Sequence, residues 1–178
     1  MDRGFVLWFT GLPASGKTTV ANLVKVELLN LGHKVEVLDG DDLRKRLDPE
    51  IGFSPEDRAI HIRRVAYVSE LLARNGVAVL VCLVSPYIHT RQSAREMIGD
   101  KFIEVFMKCS LETCIKRDPK GLYKRALDGE IPNMTGIGDP YEEPPNPEII
   151  VDTEKNSAKE NAEIVLENLR ELGYIRGP

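Results

Sequence analysis

Apolar residues along the chain fall into two alternating patterns. Short, nearly unbroken apolar runs occur at Phe5 to Thr10, Lys34 to Leu38, Val77 to Val84, Phe102 to Met107 and Glu148 to Val151. Between them, apolar residues recur at helical spacing: Val20, Leu23, Val24, Leu28 and Leu31, then Ile62, Val65, Val68 and Leu72, and last Ala158, Ala162, Val165, Leu169 and Leu172. Strands apolar on both sides are strands covered on both sides, so the runs predict a mainly parallel sheet with helices on both faces, an α/β fold. Gly32 follows the first helical stretch as a stop signal, and the second is expected to end near Gly76. The last helix has the clearest ends: Ser157 and Glu160 form an S-x-x-E capping box, and Gly173 is placed to terminate it.

One stretch fits neither pattern. Residues Asp128 to Pro147 hold five prolines and three glycines with no helical or strand period. A structureless segment of that length inside a compact domain is either a functional loop or a linker, and the ordered segments after it favour a mobile lid over 128–147. At 178 residues, the chain from 1 to 178 is expected to fold as a single domain around that lid.

Composition narrows the partners. Hydrophobic residues make up 42% and charged residues 29%, and no apolar run approaches the length of a membrane span, so no membrane partner is expected. The first ten residues read as a strand rather than a signal peptide, which makes a cytoplasmic location the expectation. Cys82, Cys109 and Cys114 lack metal or disulfide spacing and read as reduced core residues. The net charge of -4 is unevenly spread: residues 1–125 carry 20 Lys and Arg against 16 Asp and Glu, and residues 126–178 carry 4 against 12. A nucleic-acid binder would show a strongly basic face, so no nucleic acid is expected, and a small, multiply charged anion suits the basic first portion.

The motifs identify that anion. Gly11, Leu12, Pro13, Ala14, Ser15, Gly16, Lys17 and Thr18 match G-x-x-x-x-G-K-[ST], between an apolar strand and an amphipathic helix, and Thr19 continues the helix. The fold class is thereby sharpened to the P-loop NTPase type. Glycines let the backbone wrap a phosphate, the helix N-terminus faces its charge, Lys17 reaches the β and γ oxygens, and Thr18 is suited to Mg2+. A nucleotide is the implied ligand. A P-loop alone does not distinguish kinases from switches and ATPases.

The stretch from Asp39 to Arg44 follows the second strand, so its carboxylates emerge at the carboxyl edge of the sheet beside the P-loop. Asp39 there can hold Mg2+ or orient an attacking hydroxyl, and Arg44 can neutralise an acceptor's charge. The same carboxylates would also serve as turn and N-cap residues of a following helix. Phe53, Arg58, Arg63 and Arg64 add an aromatic ring and three guanidinium groups, suited to anions or to a solvated helix face. Val84 and Ser85 close the third strand at the ligand edge, where the Ser85 hydroxyl can contact substrate, accept phosphate or simply make a turn. Arg117 and Lys120 bring two cations just before the lid, within reach of a nucleotide base or an anion.

Taken in order, GLPASGKTT, LDGDDLR, GFSPEDR, IRRV, SPY, FIEVF, RDPKGLYKRA and TGIGDPYE resemble the adenylylsulfate kinase (APS kinase) family over nearly the whole chain. The resemblance implies transfer of the γ-phosphoryl group of MgATP to the ribose 3'-hydroxyl of adenosine 5'-phosphosulfate (APS), giving 3'-phosphoadenylyl sulfate (PAPS) and ADP. It assigns Gly11 to Thr19 and Arg117 to ATP, Thr18 and Asp39 to Mg2+ or the acceptor hydroxyl, and Asp41, Arg44, Phe53, Arg58, His61, Val84, Ser85, Lys120, Asn133 and Met134 to APS. It further implies Ser85 as a candidate phosphoserine, a homodimer as the usual assembly, and a functional link to an ATP sulfurylase that supplies APS. Direct in-line transfer needs positioning rather than a covalent relay, so Ser85 is read as a substrate contact.

Two positions depart from the family pattern. The usual Asn after the D-R pair is His61, and the lid aromatic expected on the APS adenine is Met134. Methionine keeps a polarizable apolar contact with a ring, and His61 can donate or accept a hydrogen bond. A P-loop kinase of another small hydroxyl acceptor, or a non-catalytic nucleotide-binding module, are the competing readings.

Overall fold

Every residue of the strand Phe5–Thr10 (β1) is buried, and its side chains leave it alternately to opposite sides. That alternation builds two cores. In the computed structural model, which describes residues 4–176, Phe5, Leu7 and Phe9 pack with Val24, Leu28, Val165 and Leu169 on one face of a sheet. Val6 and Trp8 pack with Val65, Ala66 and Ala94 on the other. The remaining strands are β2 (Lys34–Asp39), β3 (Val77–Cys82), β4 (Phe102–Lys108) and β5 (Ile149–Asp152), all parallel, in the order β2-β3-β1-β4-β5. Helices α1 (Lys17–Asn30) and α7 (Ala158–Glu171) cover the first face, and α3 (Pro55–Arg74) and α4 (Ile88–Ile98) cover the second. Short helices α2 (Gly40–Arg46), α5 (Leu111–Arg117) and α6 (Leu122–Leu127) and a 3₁₀ turn at Gly99–Lys101 complete the regular structure of the described residues.

The register aligns the strand ends. Phe9 and Asp39 both pair with Cys82, Thr10 with Phe106, and Lys108 with Asp152. The carboxyl ends therefore form one edge, where the loops after β1, β2, β3 and β5 converge. The predicted capping box of α7 is present in both directions, Ser157 to Glu160 and back.

Boundaries differ from expectation in two informative places. β3 closes at Cys82 rather than Val84: the Leu83 N–H still donates to Phe9, but the Val84 carbonyl accepts from the Thr10 hydroxyl at 2.8 Å and Ser85 takes a φ of 41°. The helix expected from Ile62 starts at Pro55, because Ser54 caps it by accepting from the Asp57 N–H and Pro55 fits the first turn. Asp57, Arg58 and His61 thus stand on the first turns of α3. Helices α4, α5 and α6 carry too little apolar period to have been marked from sequence.

Residues 128–147 hold no helix or strand, only a bridge between Thr135 and Asp139. Their second half is stitched to the body: the Glu142 N–H donates to Pro86, its carboxylate accepts from the Ile88 N–H, and buried Arg91 donates to its carbonyl. Arg91 also donates to the Ser85 carbonyl at 2.6 Å and to the Glu104 carboxylate at 2.8 Å. Among the described residues, no helix is long and apolar enough to cross a membrane.

Candidate active site

A cleft of about 1060 Å³ opens along the carboxyl edge of the sheet. Among the described residues, three other than glycine have left-handed backbone, Ala14 (φ 63°), Ser85 (φ 41°) and Asn133 (φ 57°), and all three line this cleft. Strained backbone clusters where function over-determines it, so this is independent support for the location.

The P-loop occupies one end. Gly11 has no room for a side chain, since a Cβ there would stand 2.9 Å from the Met107 carbonyl oxygen. Gly16, with a φ of 91°, turns the chain into α1, whose first N–H groups have no intrahelical partners and face the cleft with the positive end of the helix. Gly11, Leu12 and Ser15 stand behind the wall. Their oxygens accept from the Lys17 ammonium, at 2.8 Å from Gly11, 2.7 Å from Leu12 and 3.4 Å from the Ser15 hydroxyl. Burial of Lys17 outweighs the pull of neighbouring Cys82, Cys114 and Asp39 and brings its pKa down to about 8. Pro13, Ala14, Gly16, Thr18 and Thr19 line the cleft directly.

Asp39 reconciles the two readings of its motif. One carboxylate oxygen caps α2 by accepting from the Asp41 N–H at 3.0 Å, and the other accepts from the Thr18 hydroxyl at 2.9 Å. Two neighbouring ligands of an octahedral ion bound at 2.0–2.1 Å lie roughly 2.9 Å apart, so this pair fits Mg2+. Among the described residues there is no group of three or more His, Cys, Asp or Glu placed for a metal. That suits an ion held by one or two protein oxygens plus phosphates and water rather than by a protein cage.

Across the cleft lies a second constellation. The Arg44 guanidinium sits 4.7 Å and that of Arg58 5.6 Å from the Phe53 ring centroid. Burial, followed by repulsion from Arg58, lowers the Arg44 pKa from its ordinary value. Arg58 also donates to the Asn133 carbonyl at 3.0 Å, joining α3 to the segment 128–147. Lys120 pairs with Asp41, so two residues expected at the substrate hold each other across the mouth. His61 is 3% exposed and lines the cleft, with Nδ1 bound to Asp48. Met134 is buried against Cys114, Tyr123 and Ala126 while also lining the cleft. Val84 lines it too. Ser85 does as well, but its hydroxyl is turned inward, accepting from the Trp8 indole at 3.1 Å and donating to Leu83 at 3.4 Å. That placement suits support of the loop better than phosphoryl acceptance. Arg117 clasps the Thr153 carbonyl and hydroxyl, which fixes the loop after β5 at the P-loop end.

The model of the family described as adenylylsulphate kinase matches residues 3–152 of this chain. The chain belongs to the adenylylsulphate kinase family. A probable adenylyl-sulfate kinase of Pyrococcus abyssi is 49% identical over 173 residues, spanning 97% of this chain and 99% of the relative. A probable bifunctional SAT/APS kinase of Sorangium cellulosum is 48% identical over 97% of this chain, which corresponds to 29% of that longer protein. The solved structure of the Mycobacterium tuberculosis APS kinase in complex with AMPPNP and APS superimposes with a TM-score of 0.92 at 44% identity, covering 96% of this chain and 99% of that one.

The cleft also gathers residues that sequence reasoning missed. Thr153, Asn156, Ser157 and Asn161 line it from the loop after β5 and the start of α7. Their signal was available, since β5 ends at the ligand edge as β1, β2 and β3 do. Asp48 gave no signal, because its contact with His61 spans thirteen positions of sequence.

Proposed function

We propose that the protein transfers the γ-phosphoryl group of MgATP to the 3'-hydroxyl of APS, giving PAPS and ADP. The observation that carries this reading is the meeting of Thr18 and Asp39 at 2.9 Å between a P-loop and a pocket of Arg44, Phe53, Arg58 and His61. A phosphate cradle and a site for an aromatic, anionic acceptor share one metal-competent hinge.

The α1 N-terminus and Lys17 hold the β- and γ-phosphates. Asp39 accepts the hydrogen bond of the attacking hydroxyl and orients it in line with the γ-phosphorus. As the new O–P bond forms, the hydroxyl proton passes to Asp39 and the bond from phosphorus to the bridging oxygen breaks, its electron pair leaving with ADP. Thr18 and Asp39 would hold Mg2+, which neutralises charge on the phosphate oxygens. Arg44 and Arg58 counter the phosphosulfate, Phe53 and Met134 contact the base, and Lys120 leaves Asp41 to join them. Residues 128–147 act as a lid whose closure keeps water from the γ-phosphate. The fused relative from Sorangium supports a companion reaction that makes APS, the role of an ATP sulfurylase, while a homodimer remains the assembly expected from family likeness.

The test is a coupled assay for ADP and PAPS with purified protein, ATP, Mg2+ and APS. PAPS formed in step with ADP supports the reading. ADP release stimulated by a sugar or nucleoside but not by APS defeats it.

A further inference from the structure

His61 presents an unusual hydrogen-bonding surface. Its ring is 3% exposed, Nδ1 is bound to the Asp48 carboxylate, and Nε2 is buried with no hydrogen-bond partner among the described residues. Asp48 itself is 1% exposed, and Arg64 binds its other oxygen. Burial works to raise the Asp48 pKa, but hydrogen bonds from His61 and Arg64 outweigh it and hold the carboxyl below its ordinary value. An ionised carboxylate only accepts, so Nδ1 must carry the proton. The other nitrogen is then a bare lone pair. Charges around the ring keep it so: burial and the cations Arg44 and Arg64 lower the His61 pKa, against the raising effect of Asp48. An unsatisfied buried polar atom needs a partner, and the ring that carries this one lines the cleft.

Resting on the kinase reading above, we propose that Asp48 is a positioning residue that fixes the His61 tautomer, so that Nε2 accepts a hydrogen bond from an N–H or O–H group of the nucleoside part of APS. The phosphosulfate has only acceptor oxygens at neutral pH, so a bare lone pair repels it and meets the base amine or a ribose hydroxyl instead. Arg44 and Arg58 are left for the anion. His61 thus departs from asparagine in kind: an amide offers donor and acceptor together, whereas this imidazole offers an acceptor alone.

Nitrogen NMR on selectively labelled protein reads the tautomer directly, whether or not Asp48 variants fold. A pyridine-type signal for Nε2 that shifts when APS is added, with Nδ1 unmoved, is the expected result. A protonated Nε2 at pH 7.5, or no response to APS, overturns the proposal. In kinetics, Asp48→Asn supplies a donor or an acceptor to Nδ1 and releases the tautomer. It should raise KM for APS about tenfold, the scale of one hydrogen bond, without a matching rise in KM for MgATP. KM for APS in the unsubstituted protein should also rise as pH falls through the His61 transition, and His61→Leu should abolish that limb. An Asp48→Asn protein with a normal melting profile and unchanged KM refutes the role. Replacing the adenine amine by a keto group, or deleting the ribose 2'-hydroxyl, identifies the donor: the loss should vanish in His61→Leu for one analogue, and equal losses with and without the imidazole for both would count against it. Failure of the kinase reading itself looks different, since no PAPS would form from the unsubstituted protein while the NMR tautomer stayed readable.

Discussion

Raising the pH from 7 to 10 should weaken nucleotide binding through one side chain. In the ligand-free protein Lys17 has a pKa of about 8, because burial penalises its charge. Each tenfold change in proton affinity is worth about 1.4 kcal/mol, so against an ordinary lysine at 10.5 the ammonium costs the empty fold about 3 kcal/mol at neutral pH. The sign follows from proton counts. Between about 8 and 10.5 the unfolded chain holds a proton that the folded one has lost, so that cost is fully present below pH 8 and is relieved as pH rises. A bound polyphosphate restores the lysine's charge and takes up one proton. Affinity for a non-hydrolysable ATP analogue should therefore be flat to pH 7.5 and fall about tenfold for each further pH unit from roughly pH 8.5. The neighbouring thiols and Lys120 do not mask the effect: Cys82 and Cys114 are pushed up to about 12 by burial, and Lys120 is raised by its hydrogen bond to Asp41. Titration calorimetry in two buffers of different ionisation enthalpy reads both quantities, and uptake should approach one proton at pH 9.5. Lys17→Arg, charged throughout, should bind less tightly but without the slope. Constant affinity to pH 10 with no proton uptake would refute the argument.

Other outcomes follow from the same geometry. Asp39→Ala removes the oxygen shared by Thr18 and the acceptor hydroxyl and should lower kcat about a hundredfold or more, measured as PAPS formed per enzyme. Ser85→Ala should keep PAPS formation within about tenfold, because the hydroxyl is engaged with Trp8 and Leu83; complete inactivity in a folded variant would reinstate a covalent role. Arg91→Leu strands the Glu104 carboxylate with the 3.4 Å contact to Arg95 and should reduce unfolding free energy by about 3 kcal/mol in urea titrations.

The strands could be read from sequence because each central one is covered on both faces and therefore unbroken in apolar character, as β1 shows from Phe5 to Phe9. Helix α4 could not, for a physical reason: its buried positions are Thr90, Arg91, Ala94 and Ile98, and a buried arginine answered by Glu104 erases the apolar period. The start of α3 was legible in principle, since Ser54 and Pro55 are cap and first-turn residues, but the apolar period that marks the helix begins only at Ile62. At the site, the P-loop and the Asp39 motif stand in their expected places because local chain chemistry dictates them. The partners of those residues were hidden. No spacing rule foretells that Lys120 meets Asp41, that Trp8 reaches Ser85, or that Asp48 binds His61.

Arg91 ties three distant pieces together, holding the Ser85 turn, the Glu104 carboxylate on β4 and the Glu142 carbonyl with one guanidinium. A cover fastened along one hem can only swing from the other side. Under the proposed lid reading, residues 128–147 would pivot at Glu142 and travel furthest near Asn133, whose carbonyl accepts from Arg58. Nucleotides would then enter and leave past Arg58 and Lys120, so that the charges proposed to select the acceptor would also stand at its gate.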